Sequence, residues 1–86
     1  MTETVEPSKT LRDLVEYIAR ELVDDPRNVT VTTVESETVV VIELHVAKED
    51  VGKVIGKGGQ TAKALRKVIS AAATKHKKKS VLDIKE

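Results

Sequence analysis

The stretch Val54-Ile55-Gly56-Lys57-Gly58-Gly59-Gln60-Thr61-Ala62-Lys63-Ala64-Leu65-Arg66-Lys67 decides how this chain is read. The protein has only four glycines, and three of them, Gly56, Gly58 and Gly59, fall within four positions, with Gly52 just upstream. Glycine weakens helices, yet apolar spacing on both sides of the cluster is helical. Upstream, Lys48 to Ile55 reads as a short helix that turns Val51, Val54 and Ile55 inward. Downstream, Gln60 to about His76 reads as a longer helix, with Ala62, Leu65, Val68, Ile69 and Ala72 on its inner stripe. The glycines therefore join two helices, and their purpose is a backbone one.

Working outward, Thr38–Ala47 is rich in β-branched residues and alternates. Val40, Ile42, Leu44 and Val46 share one face and belong to the core, whereas His45 is a surface strand residue. Asn28–Val34 reads as a partner strand, although Glu35-Ser36-Glu37 between them carries no Gly or Asn to signal a hairpin. Earlier still, Leu11, Leu14, Val15, Ile18, Ala19, Leu22 and Val23 recur at i, i+3, i+4 and i+7 spacing, an amphipathic helix from Lys9 to Val23. Ser8 or Thr10 is expected to cap it, with Asp13 in its first turn, and Asp24-Asp25-Pro26 to end it. Residues 1–7 show no periodicity and are expected to form a flexible tail, with a single domain over 8–86. At the other end Ser80-Val81-Leu82-Asp83-Ile84 makes an edge strand. The order α-β-β-α-α-β gives an α+β fold, a three-stranded sheet covered on one face by three helices.

Composition narrows the function. At 86 residues the chain builds one domain, with Tyr17 its only aromatic residue and no cysteine. Disulfides, thiolate chemistry and cysteine-based zinc sites are excluded, and His45 and His76 stand too far apart in sequence to suggest a metal site. No cofactor or metal is expected. The first residues lack signal-peptide features, and the apolar run Val39–Ile42 is far short of the ~20 residues that span a bilayer. The expected location is cytoplasmic. No paired His, Cys or carboxylate cluster stands near the glycines to act as base or nucleophile, so no enzyme is expected. Glu49 and Asp50 read as caps of the short helix.

The formal net charge of +1 conceals a division. Residues 1–46 carry four basic and ten acidic side chains, net −6, and residues 47–86 carry eleven basic and four acidic, net +7. The basic half implies a polyanionic partner.

Three uses of the glycines follow. A helix C-cap at Gly56, in the left-handed conformation, explains one of them. A nucleoside-triphosphate loop, G-x-x-x-x-G-K-[ST], fails: Gly52 to Gly56 is a residue short, Lys57 precedes a glycine, and a helix rather than a strand leads in. A cradle for a nucleic-acid strand explains all three. Glycines let a phosphodiester approach the main chain, and the following helix offers unpaired N–H groups and the positive end of its dipole. Backbone N–H groups of Gly58, Gly59 and Gln60 would meet phosphates, with Lys57 at the loop tip. Lys53, Lys63, Arg66 and Lys67 would extend the field from the flanking helices.

Val54-Ile55-Gly56-Lys57-Gly58-Gly59 resembles the VIGxxG core of the KH domain, whose GxxG loop joins two helices and clamps about four single-stranded nucleotides. Gly56 and Gly59 occupy its fixed positions. The element order resembles the type II arrangement, which implies a mixed sheet with the strand before the helix pair parallel to the final strand. Length and the run Thr61–Ala73 are similar to the small bacterial KhpA (YlqC-like) family. That resemblance implies a non-catalytic binder of single-stranded RNA, an RNA chaperone or post-transcriptional regulator. It also implies a homodimer, or a heterodimer with a larger KH protein of the KhpB or Jag type. The implied site is Lys53, Val54, Ile55, Gly56, Lys57, Gly58, Gly59, Gln60, Lys63, Arg66 and Lys67. Val51, Val54, Ile55 and Ala62 would contribute an apolar floor for bases, and Ile42 and Leu44 are expected as core. Ala62 stands where many KH domains have isoleucine. The alternative is a protein-docking module that uses the same helix pair. Lys77-Lys78-Lys79 either extends the RNA track or complements the helix end.

Overall fold

A computed structural model of the chain describes residues 7–86. The expected tail lies outside the described residues except for Pro7, which opens helix α1, Pro7–Leu22. Strands β1, Thr30–Glu35, and β2, Val39–His45, follow. A 3-10 turn at Lys48–Asp50 leads into α2, Val51–Ile55, and the loop Lys57–Gly59 into α3, Gln60–Thr74. Strand β3, Lys79–Lys85, completes the order α-β-β-α-α-β.

The sheet order is β1-β2-β3, with β1 antiparallel and β3 parallel to β2. The mixed sheet expected from the resemblance is present. The even-numbered face of β2 is the floor of the core: Val40, Ile42 and Leu44 are all fully buried. Leu11, Val15 and Ala19 of α1, Val54 of α2, Leu65 and Ile69 of α3 and Leu82 of β3 close over it. Val34 and Val81 stand exposed on the other side of the sheet, so one face carries all the helices.

Several local expectations need correction. Ser8 and Thr10 lie inside α1 and Asp13 lies beyond its first turn, because the helix starts at Pro7. Proline is tolerated there since its missing N–H would be unpaired anyway. The Glu35 carboxylate, at the end of β1, bridges to Lys78 at 2.6 Å, and Lys78 first, then Ser8 near the start of α1, hold it below the ordinary glutamate value against the effect of burial. The β1–β2 hairpin closes without glycine through Ser36, whose N–H donates to the Val39 carbonyl at 2.8 Å while its hydroxyl accepts from the Val39 N–H at 3.1 Å. Val68, expected inside, is 48% exposed, and Ala73 takes the buried place at the end of the stripe.

Asp50 also departs from its expected role as a cap. Its side chain makes no capping bond to α2 and turns inward, 2% exposed. There it accepts the backbone N–H groups of Asp24 at 3.2 Å and Asp25 at 3.0 Å. Burial alone would push this carboxyl up, but those N–H groups, and then Lys53, outweigh it and hold the carboxyl below the ordinary aspartate value. The bond fastens the end of α1 to the start of α2, the helix that delivers the glycine loop.

Candidate nucleic-acid interface

Helix α2 stops at Gly56, whose N–H donates to the Gly52 carbonyl at 2.8 Å. Its dihedrals are φ 78°, ψ 169°, a mirror-extended conformation and not the left-handed cap expected. Only glycine populates that region readily. A second constraint is spatial, because a Cβ at Gly56 would stand 2.2 Å from the Thr61 hydroxyl oxygen and 2.9 Å from the Thr61 backbone nitrogen. The chain thus doubles back tightly enough to press Gly56 against the first turn of α3. Gly58 and Gly59 continue with φ 63° and 75°, and a Cβ on either would meet open space. Gly56 therefore serves packing, whereas Gly58 and Gly59 set the path of an exposed backbone.

Hydrogen bonding selects among the donors. Gly59 N–H is spent on the Gly56 carbonyl at 3.0 Å, and Gln60 N–H on the Lys57 carbonyl. Of the three N–H groups expected to face phosphate, that leaves Gly58; Lys57 N–H joins it with no acceptor among the described residues. Lys57 projects from the tip, exposed and without an ion-pair partner among the described residues. Gln60, also exposed, begins the 15-residue α3, whose dipole places its positive end at this loop.

The other expected residues divide. Lys63, Arg66 and Lys67 are exposed on α3. Ile55 and Gly56 are half-buried beneath the loop. Val54 is fully buried and supports the loop from the core, out of reach of a ligand. Lys53 is drawn away by acids: Asp24 pairs with its ammonium and Asp50 lies 3.5 Å off. Asp24 first, then Asp50, hold its pKa above the ordinary lysine value against the opposing effect of burial. Ala62 is 2% exposed, so it offers bases no floor.

The open space lies elsewhere. Between α3 and the edge strand β3 runs a groove of about 340 Å³ lined by Arg66, Ser70, Ser80, Val81 and Leu82. Arg66 reaches across it, its Nε and one terminal nitrogen donating to the Leu82 carbonyl at 3.3 and 3.2 Å. This caps one free carbonyl of the sheet edge and fixes a flat guanidinium in the groove. Charge on the flanking helix pointed to Arg66, but nothing in the sequence pointed to Ser70, Ser80, Val81 and Leu82 as site residues. Their signal was the pairing of an i, i+4 step on α3 with an edge strand, which becomes visible only once β3 is known to lie beside that helix.

On its opposite flank α3 meets α1 along a second groove of about 200 Å³, almost wholly apolar and lined by Ile18, Leu22, Thr61, Ala64, Leu65 and Val68. Tyr17, 67% exposed, stands beside Ile18 in sequence on α1. Among the described residues no group of three or more His, Cys, Asp or Glu is placed to hold a metal. None of the described helices is long and apolar enough to cross a membrane.

Comparison with known proteins agrees with this geometry. The family model described as KhpA/KhpB, KH domain, matches residues 12–84. A protein of Clostridium perfringens (strain 13 / Type A), named RNA-binding protein KhpA, is 51% identical over 74 residues, covering 86% of this chain and 99% of its own. One of the same name from Aquifex aeolicus (strain VF5) is 50% identical over 76 residues, 88% of this chain and 96% of its own. Another from Listeria monocytogenes is 42% identical over 76 residues, 88% of this chain and 100% of its own. No solved structure matches. With a matched span that runs from the first helix to the last strand, and the glycine loop between α2 and α3 inside it, the chain belongs to the KhpA/KhpB family of KH domains.

Proposed function

We propose that this chain binds single-stranded RNA in the cytoplasm without catalysing a reaction. The sugar-phosphate backbone enters at Gly56–Gly59 and lies along the α3–β3 groove. The observation that carries the reading is the loop itself. Gly58 presents a free N–H at positive φ beside an exposed Lys57, at the positive end of the helix that carries Arg66 into the α3–β3 groove. The relatives' shared name, RNA-binding protein, supports the same ligand. Lys63, Arg66 and Lys67 supply the field along the strand. Val54 and Lys53 serve the loop's support. Tyr17 lies on α1 and lines neither loop nor groove, so aromatic stacking, worth ~1–3 kcal/mol per base, does not contribute. One copy therefore binds weakly, with a steep salt dependence and little sequence preference.

The apolar α1–α3 groove supports a second surface on the same molecule, on which another KH chain docks. A second copy, or a larger KH protein of the KhpB type, would give the avidity that a single weak site lacks. RNA chaperoning or post-transcriptional regulation follows from such a bivalent binder. The decisive test is fluorescence anisotropy of labelled single-stranded RNA with wild type and Lys57→Asp/Gly58→Asp, with circular dichroism to verify folding. Loss of binding by a folded variant upholds the loop as the phosphate cradle. Equal binding by both proteins refutes it.

A further inference from the structure

At the far end of α3 from the glycine loop, the chain crosses to β3 through Lys75-His76-Lys77-Lys78-Lys79. The structure separates these lysines. Lys78 turns inward, its side chain 13% exposed, and bridges Glu35 at 2.6 Å. Lys75, Lys77 and Lys79 are exposed and have no ion-pair partner among the described residues. Of the two acids in the neighbouring hairpin, Glu35 is already matched by Lys78, leaving Glu37 against three lysines.

Complementing a helix C-terminus would account for a cation or two here. It does not account for Lys77. The Lys78 N–H donates to the Ala73 carbonyl at 3.1 Å and the Lys77 N–H to the Thr74 carbonyl at 2.9 Å. These are the two bonds of a Schellman closure, whose left-handed residue is ordinarily glycine. Lys77 occupies that place at φ 59°, the one described non-glycine residue with positive φ. A side chain held where its absence would relax the backbone points to a use for that side chain.

Location supplies the second argument. The α3–β3 groove passes from Arg66 and Leu82 to Ser70 and Ser80. Ser80 adjoins Lys79, and Ser70 lies about one turn and a half before Lys75. The groove therefore runs along α3 from Arg66, six residues past Gln60, to Ser80 beside Lys79. The 15 residues of α3 separate its ends by about 22 Å, at ~1.5 Å per residue. A GxxG loop clamps about four nucleotides, so a longer strand that follows the groove reaches the lysines with later phosphates.

We propose that Lys75, Lys77 and Lys79 form a second phosphate-binding site for the same single-stranded RNA, at the exit of the α3–β3 groove. It rests on the loop reading, and its test separates the two. The assay is anisotropy of labelled five-nucleotide and twelve-nucleotide oligouridylates, titrated at several salt concentrations. The proteins are wild type, Lys77→Gly, Lys75→Gln/Lys79→Gln, and Lys57→Asp/Gly58→Asp. Each single-strand phosphate contact contributes about 0.7 to the slope of log K against log salt. Lys77→Gly should thus weaken 12-mer binding about fivefold at 0.1 M salt. It should leave the 5-mer unchanged and raise the melting temperature by roughly 4 °C, because glycine suits the backbone there. The double glutamine variant should flatten the 12-mer slope by about 1.4.

A 12-mer affinity within about twofold of wild type for Lys77→Gly overturns the second site. Equal losses on both lengths also overturn it, since they mark a general field. If the loop variant keeps the 5-mer while the lysine variants lose the 12-mer, the loop reading fails and the lysine site stands. If the loop variant loses the 5-mer and the lysine variants lose nothing, the reverse holds.

Discussion

Adding one methyl group to Gly56 should damage this fold more than the same methyl at Gly58. At φ 78°, ψ 169°, Gly56 occupies backbone space that costs a residue with a Cβ about 1–3 kcal/mol. The methyl would also stand 2.2 Å from the Thr61 hydroxyl oxygen, 2.7 Å from the Thr61 Cβ and 2.9 Å from its backbone nitrogen. A hydroxyl can rotate away, but Cβ and nitrogen move only if the first turn of α3 moves. Overpacking of that kind adds about 1–3 kcal/mol. Gly56→Ala should therefore cost about 4 kcal/mol, which for a domain of this size lowers the melting temperature by roughly 15–30 °C. Gly58→Ala meets no atom within 4 Å and bears only the left-handed strain, about 1 kcal/mol. Thr61→Ala added to Gly56→Ala removes the hydroxyl clash alone, so it should recover less than half the loss. Urea unfolding of the four proteins with m-values compared would measure this. If Gly56→Ala costs no more than Gly58→Ala, the packing role assigned to Gly56 is wrong.

Other outcomes follow from single contacts. Asp50 and Glu35 both sit below their ordinary pKa values, so the stability they add is complete above the unfolded carboxylate range and is lost as pH falls through their lower folded values. Thermal melts of Asp50→Asn should show a protein less stable at neutral pH with a shallower acid limb; an acid limb as steep as wild type would contradict the clasp. Arg66→Gln should keep the fold and weaken RNA binding, because it removes a groove cation while leaving the Leu82 carbonyl open to water; unchanged affinity in anisotropy would remove Arg66 from the site. Val68→Glu should convert any self-associated species to monomer in analytical ultracentrifugation without loss of RNA binding by the monomer, whereas an unchanged sedimentation profile would show that α1–α3 is not the docking surface.

What sequence reading could reach depended on whether a residue's role was set by its neighbours in the chain. Helix and strand order, the buried face of β2 and the glycine junction are periodic or local features, and all were legible. Hidden features came from contacts across the chain. The partner of Lys78 is Glu35, and the acceptor for Asp24 and Asp25 arrives from Asp50. No local pattern announces either. Lys53 looked like a loop cation because it is near the loop in sequence, but the fold brings it against Asp24, just past the end of α1. Val68 fitted the helical stripe yet stands at its margin, where α1 leaves it uncovered. The groove residues Ser80, Val81 and Leu82 could not be assigned until β3 was paired with β2, which fixes which edge lies beside α3.

Helix α3 ties these parts together. Of its four buried positions, Leu65, Ile69 and Ala73 join the core, while Ala62 is buried outside that cluster, two residues past the start of the helix. On its flanks lie two grooves, one toward β3 that holds Arg66 and an apolar one toward α1. A groove without aromatics offers a strand no stacking platform, which fits the proposed binder guided by charge. On that reading, affinity for RNA comes from more phosphates or more copies.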